Sequence, residues 1–260
     1  TLPHAELVLP HDSVYDEYCR LIPAADDKAW AEANPNRRGA YGATERPLAS
    51  FASMVTRLDS YVGDVMNQLK EMGIDDNTLV IFTSDNGPHR EGGANPDYFD
   101  SYGPYRGIKR DLYEGGIRMP FIAWYPGTVP PATESDHLTA FWDMMPTFAQ
   151  LAGSTDSITT DGISFVPTLL GTEGQAEHPY LYWEFHEQGG KQAMRLGDWK
   201  GVRLNVGEPE QTTFELYNLA DDIHEDNNVA EGNPEVVARI SELMDSVRTP
   251  SELFNFKRKK

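Results

Sequence analysis

Cysteine is nearly absent from this 260-residue chain. Cys19 stands alone, which excludes an internal disulfide and leaves the redox compartment open. Positive charge is scarce as well: 22 lysines and arginines face 41 aspartates and glutamates, a formal net charge of -19 that argues against a general polyanion-binding surface. The basic run Lys257-Arg258-Lys259-Lys260 reads as a solvated terminus rather than a nucleic-acid site. No apolar run reaches the length a bilayer needs, and neither a signal peptide nor an initiator methionine opens the chain at Thr1. Internal repeats and low-complexity linkers are lacking too. Neither nucleic acid nor membrane is therefore expected as a partner. The length still suffices to bury a sizeable core.

The richest stretch runs over residues 77–127. Thr78-Leu79-Val80-Ile81-Phe82-Thr83 is apolar or β-branched without polar alternation, the pattern of a strand buried on both faces of a parallel sheet. It stops at Ser84-Asp85-Asn86-Gly87, and ligands of open α/β sheets gather beyond the carboxyl ends of strands. Asp85 and Asn86 offer hard oxygen donors of the kind Ca²⁺ and Mg²⁺ prefer. The plain alternative is a hairpin turn, since Asn-Gly favours one, but Pro88, His89 and a long polar loop follow instead of a second strand. Arg106, Lys109, Arg110 and Arg118 then crowd into one segment of an otherwise acidic chain. Such a patch suits a sulfate- or phosphate-like anion, and a solvated loop is the alternative. A second apolar strand spans Met119 to Trp124.

TSDNGPH at residues 83–89, followed by RGIKRDLYEGGIRMPFIAWYPG at 106–127, resembles the second half of a type I sulfatase of the alkaline-phosphatase superfamily. The likeness continues to the C-terminus. It implies hydrolysis of a sulfate ester at a divalent-metal site, with Asp85 and Asn86 as metal ligands, Ca²⁺ as the first choice of metal and Mg²⁺ as the other. Lys109, four residues before Tyr113, matches the family lysine that binds the sulfate, where its ammonium would stabilise developing charge. His4, in Thr1-Leu2-Pro3-His4-Ala5, matches a histidine that contacts the ester and assists departure of the alcohol. Without the family, His4 reads as a terminal residue with no role. His89 and Arg106 are expected as substrate contacts, although His89 serves equally well as a loop histidine with a structural hydrogen bond. The family nucleophile is a formylglycine made in a C/S-x-P-x-R motif. Cys19-Arg20-Leu21-Ile22-Pro23 does not fit that pattern, and Asp26-Asp27 are not promoted to the paired aspartates of the family metal site. The chain is therefore expected to be the C-terminal part of a longer enzyme, inactive alone, with the N-terminal half of the same protein supplying the nucleophile and the remaining ligands.

The rest reads as scaffold. Residues 14–46 lack clear periodicity and are expected as a long surface loop with at most a short helix. Phe51, Met54, Val55, Leu58, Val62, Val65, Met66 and Leu69 form a helical stripe expected in the core, stopped at Met72-Gly73. A helix follows Asp143 and ends near Gly153. Beyond Gly171, the runs 180–185, 192–196, 199–204 and 214–217 predict a small antiparallel sheet, and Asn233-Pro234 opens a helix to pack on it. Trp183, Glu184, His186 and Glu187 sit at a strand end that could face a pocket. Core packing with surface charge explains them equally, and His186 is retained as a candidate substrate contact. The expected fold is α/β: part of a doubly wound, mostly parallel sheet flanked by helices over residues 1–171, then a small α+β subdomain over 172–260. Carbohydrate sulfate esters are the expected substrates, because RGIKRDLYEGG and EFHEQGG resemble bacterial polysaccharide-degrading sulfatases, and a periplasmic or secreted location goes with them. Two other readings stay open: a catalytically incomplete module that binds sulfated glycans, and a phosphodiesterase or phosphatase of the same superfamily.

Overall fold

The structure, a computed structural model, describes residues 2–30 and 41–256. The basic tail considered above and part of the expected 14–46 loop lie outside the described residues. The chain forms two compact units, Thr1–Thr78 with Pro88–Gly103, and Leu79–Gly87 with Pro104–Lys260. This seam does not coincide with the sequence division at Gly171.

In the first unit a nine-residue helix, α1 (Ser13–Leu21), occupies the region expected to be mostly loop. Asp12 starts it: its Oδ1 accepts from the Val14 and Tyr15 amides at 3.1 and 3.3 Å. The long helix α2 (Pro47–Glu71) begins with proline at its first position and has no side-chain cap of its own. Its open amides are met from a distance. Buried Asp27 accepts from Leu48 N–H at 2.7 Å and from Ala49 N–H at 3.1 Å, and Arg46 Nε donates to the same carboxylate at 2.9 Å. Tyr15, Ile22, Leu48 and Ala49 form the core between the two helices. The α2 stripe is core only at its start. Met54 is buried, but Val55 and Val65 are 44% and 54% exposed, because periodicity defines an apolar face without supplying what covers it.

The second unit opens with β1 (Val80–Thr83), continues through a single helical turn, α3 (Glu114–Ile117), and reaches β2 (Phe121–Trp124). Here the expected parallel arrangement is corrected. β1 and β2 pair antiparallel, Val80 opposite Trp124 and Thr83 opposite Phe121, and every β1 residue is only half-buried. An unbroken apolar run reports that both faces of a strand want cover; it carries no information on the direction of its neighbour. Helices α4 (Met144–Leu151) and α5 (Val166–Leu170) follow.

The C-terminal sheet matches its expectation closely. β3 (Leu181–Phe185), β4 (Lys191–Leu196), β5 (Trp199–Leu204) and β6 (Thr213–Asn218) form an antiparallel meander in sequence order. α6 (Pro234–Val247) covers one face, where Ile240 and Met244 pack on Met194 and Leu216. Gly201 belongs to that face: a Cβ there would lie 2.8 Å from Ile240 Cγ2, so the missing side chain lets the helix approach. Residues one position away in register face the other side, where Ala193, Val202 and Tyr217 bury Leu112. The α/β class stands. Among the described residues, no helix is long and apolar enough to cross a membrane.

Candidate active site

Leu112 anchors the basic segment on the sheet, and a cavity of about 410 Å³ opens beside it within the second unit. Thr83, Asp85 and Asn86 line it from the end of β1, and Lys109, Arg110 and Asp111 line it from the basic segment. Phe121, Phe141, Trp142, Trp183 and Phe185 make it strongly aromatic, and Glu187 lies at its lining. Three residues singled out from sequence, Asp85, Asn86 and Lys109, are thus gathered around one space although 23 positions separate Asn86 from Lys109.

Backbone contacts bring them together. Gly87 N–H donates to Gly116 C=O at 3.0 Å, and a Cβ on Gly87 would fall 2.0 Å from Gly115 C=O, so only glycine admits this approach. Gly115 N–H in turn donates to Arg106 C=O at 2.7 Å, tying the start of the basic segment to the same turn of α3. Asp111 N–H donates to Ile108 C=O at 2.8 Å, which closes a tight turn with Lys109 and Arg110 at its corners.

Asp85 is exposed, and Asn86 Nδ2 donates to Gly87 C=O at 3.2 Å, which leaves the amide oxygen as the atom able to ligate a cation. The chemistry of this pair fits a hard divalent cation. The number does not complete a shell: Ca²⁺ takes about six to eight oxygens, and no group of three or more His, Cys, Asp and Glu gathers among the described residues. Asp85 and Asn86 therefore fit as a share of a metal site.

Glu114, at the start of α3, enters a buried ionic cluster. Its Oε1 accepts from Lys200 Nζ at 2.7 Å, while Glu225 Oε1 lies 3.9 Å from the same ammonium. Glu225 Oε2 accepts from the Glu114 amide at 2.7 Å. Lys200 and Glu225 have no exposure, and Glu114 is 3% exposed. Burial pushes both carboxyls up. At Glu114 it is outweighed by Lys200, with Arg195 and Arg118 behind it, so Glu114 is held below the ordinary glutamate value. At Glu225 burial prevails over the more distant Lys200, and its pKa rises to about 7. One ammonium serves two carboxyls unequally, and the nearer one takes the charge. No sequence pattern announces this cluster, since its members are 25 to 111 positions apart.

Two expected substrate contacts are placed elsewhere. Arg106 Nη1 donates to Tyr217 Oη at 3.1 Å and to Glu225 C=O at 2.6 Å, with its guanidinium 4.0 Å over the Tyr113 ring. His186 is buried, with Nε2 2.8 Å from Glu184 Oε2, and its ring stacks on Phe254 and Phe256 at 4.2 and 4.4 Å. Neither lines the cavity; Trp183 and Glu187, close to His186 in sequence, do. In the first unit, His4 and His89 face each other with ring centroids 5.6 Å apart, and His89 Nδ1 accepts from the Glu91 amide at 3.1 Å.

Comparison with known proteins yields a consistent set. The Sulfatase family profile matches residues 7–154, and the profile described as N-sulphoglucosamine sulphohydrolase, C-terminal, matches residues 103–252. The chain is 31% identical over 225 residues to N-acetylgalactosamine-6-O-sulfatase of Bacteroides thetaiotaomicron, covering 78% of this chain and 42% of that protein. It is 31% identical over 221 residues to human arylsulfatase A, covering 74% of this chain and 42% of that one. The crystal structure of Ps i-CgsB in complex with k-i-k-neocarrahexaose superposes with a TM-score of 0.70 at 26% identity, over 99% of this chain and 51% of that one. The chain spans less than half the length of these two curated relatives.

Proposed function

Because the chain belongs to the sulfatase family, we propose that it carries part of the active site of a sulfuric ester hydrolase acting on carbohydrate sulfate esters. The observation that carries this reading is the cavity itself, where an acid, an amide and a lysine converge beside an aromatic lining. A sulfated sugar presents complementary features: an anionic group for Lys109 and a ring with apolar C–H faces for the aromatic side chains. The bacterial relative named as an N-acetylgalactosamine-6-O-sulfatase and the structure described with a neocarrahexaose point to the same substrate class.

In this reading Lys109 holds the sulfate and stabilises charge as the ester bond breaks. Asp85 and Asn86 supply two oxygen donors to a divalent cation, Ca²⁺ first and Mg²⁺ as the alternative. When bound, that cation would neutralise charge on the sulfate. The formylglycine nucleophile of the family has no source motif in these 260 residues, and we assign it to another part of the polypeptide. Within the first unit, His4 is kept as the group assisting departure of the alcohol and His89 as a substrate contact. Division of the chain at residues 171 and 172, and a periplasmic or secreted location, belong to the same proposal.

Steady-state kinetics of the native full-length polypeptide on a panel of sulfated mono- and oligosaccharides tests it. Turnover should be lost on chelation and restored by Ca²⁺ or Mg²⁺, and Lys109→Ala should lower kcat/KM by about 10²–10³-fold. Binding without turnover would favour the non-catalytic module. Preference for a phosphate diester over every sulfate ester would overturn the assignment.

A further inference from the structure

The turn that carries Lys109 is built against its own backbone preference. Asp111 N–H donates to Ile108 C=O at 2.8 Å, and Arg110 has φ +80°, which together are the signature of a type II turn whose third position normally takes glycine. Arginine there is strained, and such a conformation persists only where its surroundings over-determine it. The surroundings are specific. Lys191, at the start of β4, donates from one Nζ to Arg110 C=O at 2.9 Å, to Asp111 Oδ1 at 3.0 Å and to Gln188 Oε1 at 3.1 Å. The other oxygen of the same carboxylate, Asp111 Oδ2, accepts from Ile108 N–H at 3.1 Å. The lysine is itself well fixed. Its side chain is 13% exposed, it pairs in register with Phe185, and its ammonium lies 5.6 Å from the centroid of that ring, which lines the cavity.

We propose that Lys191 is a positioning residue: its ammonium locks the Ile108–Asp111 turn and so fixes the direction in which Lys109 enters the cavity. The donors and acceptors account for each restraint. The bond to Arg110 C=O opposes rotation of the peptide that follows the strained residue. The bond to Asp111 holds the carboxylate whose second oxygen closes the turn. Without the ammonium, Arg110 regains its preference for negative φ, and rotation there swings the preceding residue, Lys109. This deepens the proposed function, on which its kinetic part rests; the conformational part stands independently of any activity.

The test uses Lys191→Met, which keeps the length and apolar stem of the side chain, with Lys191→Arg and Lys191→Met/Arg110→Gly beside it. Amide hydrogen exchange is read in the native full-length polypeptide. Lys191→Met should accelerate exchange at Asp111 by about 10- to 100-fold, in keeping with the strain of a non-glycine residue at positive φ. The amides of β4 should keep their protection. Glycine at 110 removes the strain, so the double variant should return Asp111 to within about threefold of wild type. In the full-length enzyme, Lys191→Met should lower kcat by a similar factor with KM changed less than about threefold, and Lys191→Arg should recover most of the loss. Unchanged Asp111 exchange in Lys191→Met would overturn the inference, as would equal loosening of β4 or failure of Arg110→Gly to restore protection. Absence of turnover in wild type, with Asp111 behaving as expected, would defeat the assigned activity and leave the clamp intact.

Discussion

Replacement of Lys200 by methionine probes the ionic cluster behind the cavity, and the structure sets both the size and the pH dependence of the effect. Methionine fills most of the volume of the buried lysine stem, so the change is chiefly electrostatic. Glu114 loses the ammonium 2.7 Å away that holds its carboxylate ionised, while Arg195 and Arg118 remain at 3.6 and 3.8 Å from its other oxygen. Removing one partner of a buried pair typically costs about 3–5 kcal/mol. Glu225 offers an internal standard: buried and farther from Lys200, it sits at about 7 against an ordinary 4.5. A carboxyl driven that far is destabilised, when ionised, by about 3 kcal/mol, at about 1.4 kcal/mol per unit. The two routes agree at about 3 kcal/mol at pH 8. The sign follows from linkage. A carboxyl whose folded pKa is raised binds a proton more readily in the folded state, so the penalty is full above the folded value and disappears below the unfolded one. The gap between wild type and variant should therefore shrink to about 1 kcal/mol at pH 4.5. Urea unfolding followed by tryptophan fluorescence reads this, because Trp124, Trp142, Trp183 and Trp199 all belong to the second unit. A loss below about 1 kcal/mol at pH 8, or the same loss at both pH values, would refute the argument.

Two further outcomes follow from the same reasoning. Glu225→Gln imitates the protonated acid, so it should stabilise the chain by up to about 3 kcal/mol at pH 8 and by little at pH 4.5, flattening a wild-type stability that otherwise falls as pH rises between about 4.5 and 7; urea titrations across that range check it. Asp27→Ala removes the acceptor for the Leu48 and Ala49 amides and the partner of Arg46, at a cost of about 2 kcal/mol, and should speed exchange of those two amides by about 30-fold.

Much of the molecule is legible in its sequence where the signal is local. Helix α2, the four strands beyond Gly171 and the proline-led helix α6 lie where periodicity and helix-start residues put them. Asp85, Asn86 and Lys109 stand out because each belongs to a contiguous motif, and all three line the cavity. Arg106 and His186 are candidates for the same site only through their neighbours in sequence. Their side chains went instead to a tyrosine and a pair of phenylalanines more than 60 positions away.

What the sequence determined by itself is therefore the α/β class, the strands, the helices α2, α4 and α6 and the family motifs, since propensity, hydrophobic period and contiguous residues all act over a few positions. Tertiary structure alone decided the antiparallel partner of β1, the capping of α2 by Asp27, the unequal sharing of Lys200 by two glutamates and the grip of Lys191 on the Lys109 turn. Each of these joins residues distant in the chain. Which distant donor meets which buried acceptor is settled only when the elements pack, because only then does leaving either one unpaired carry its full desolvation penalty.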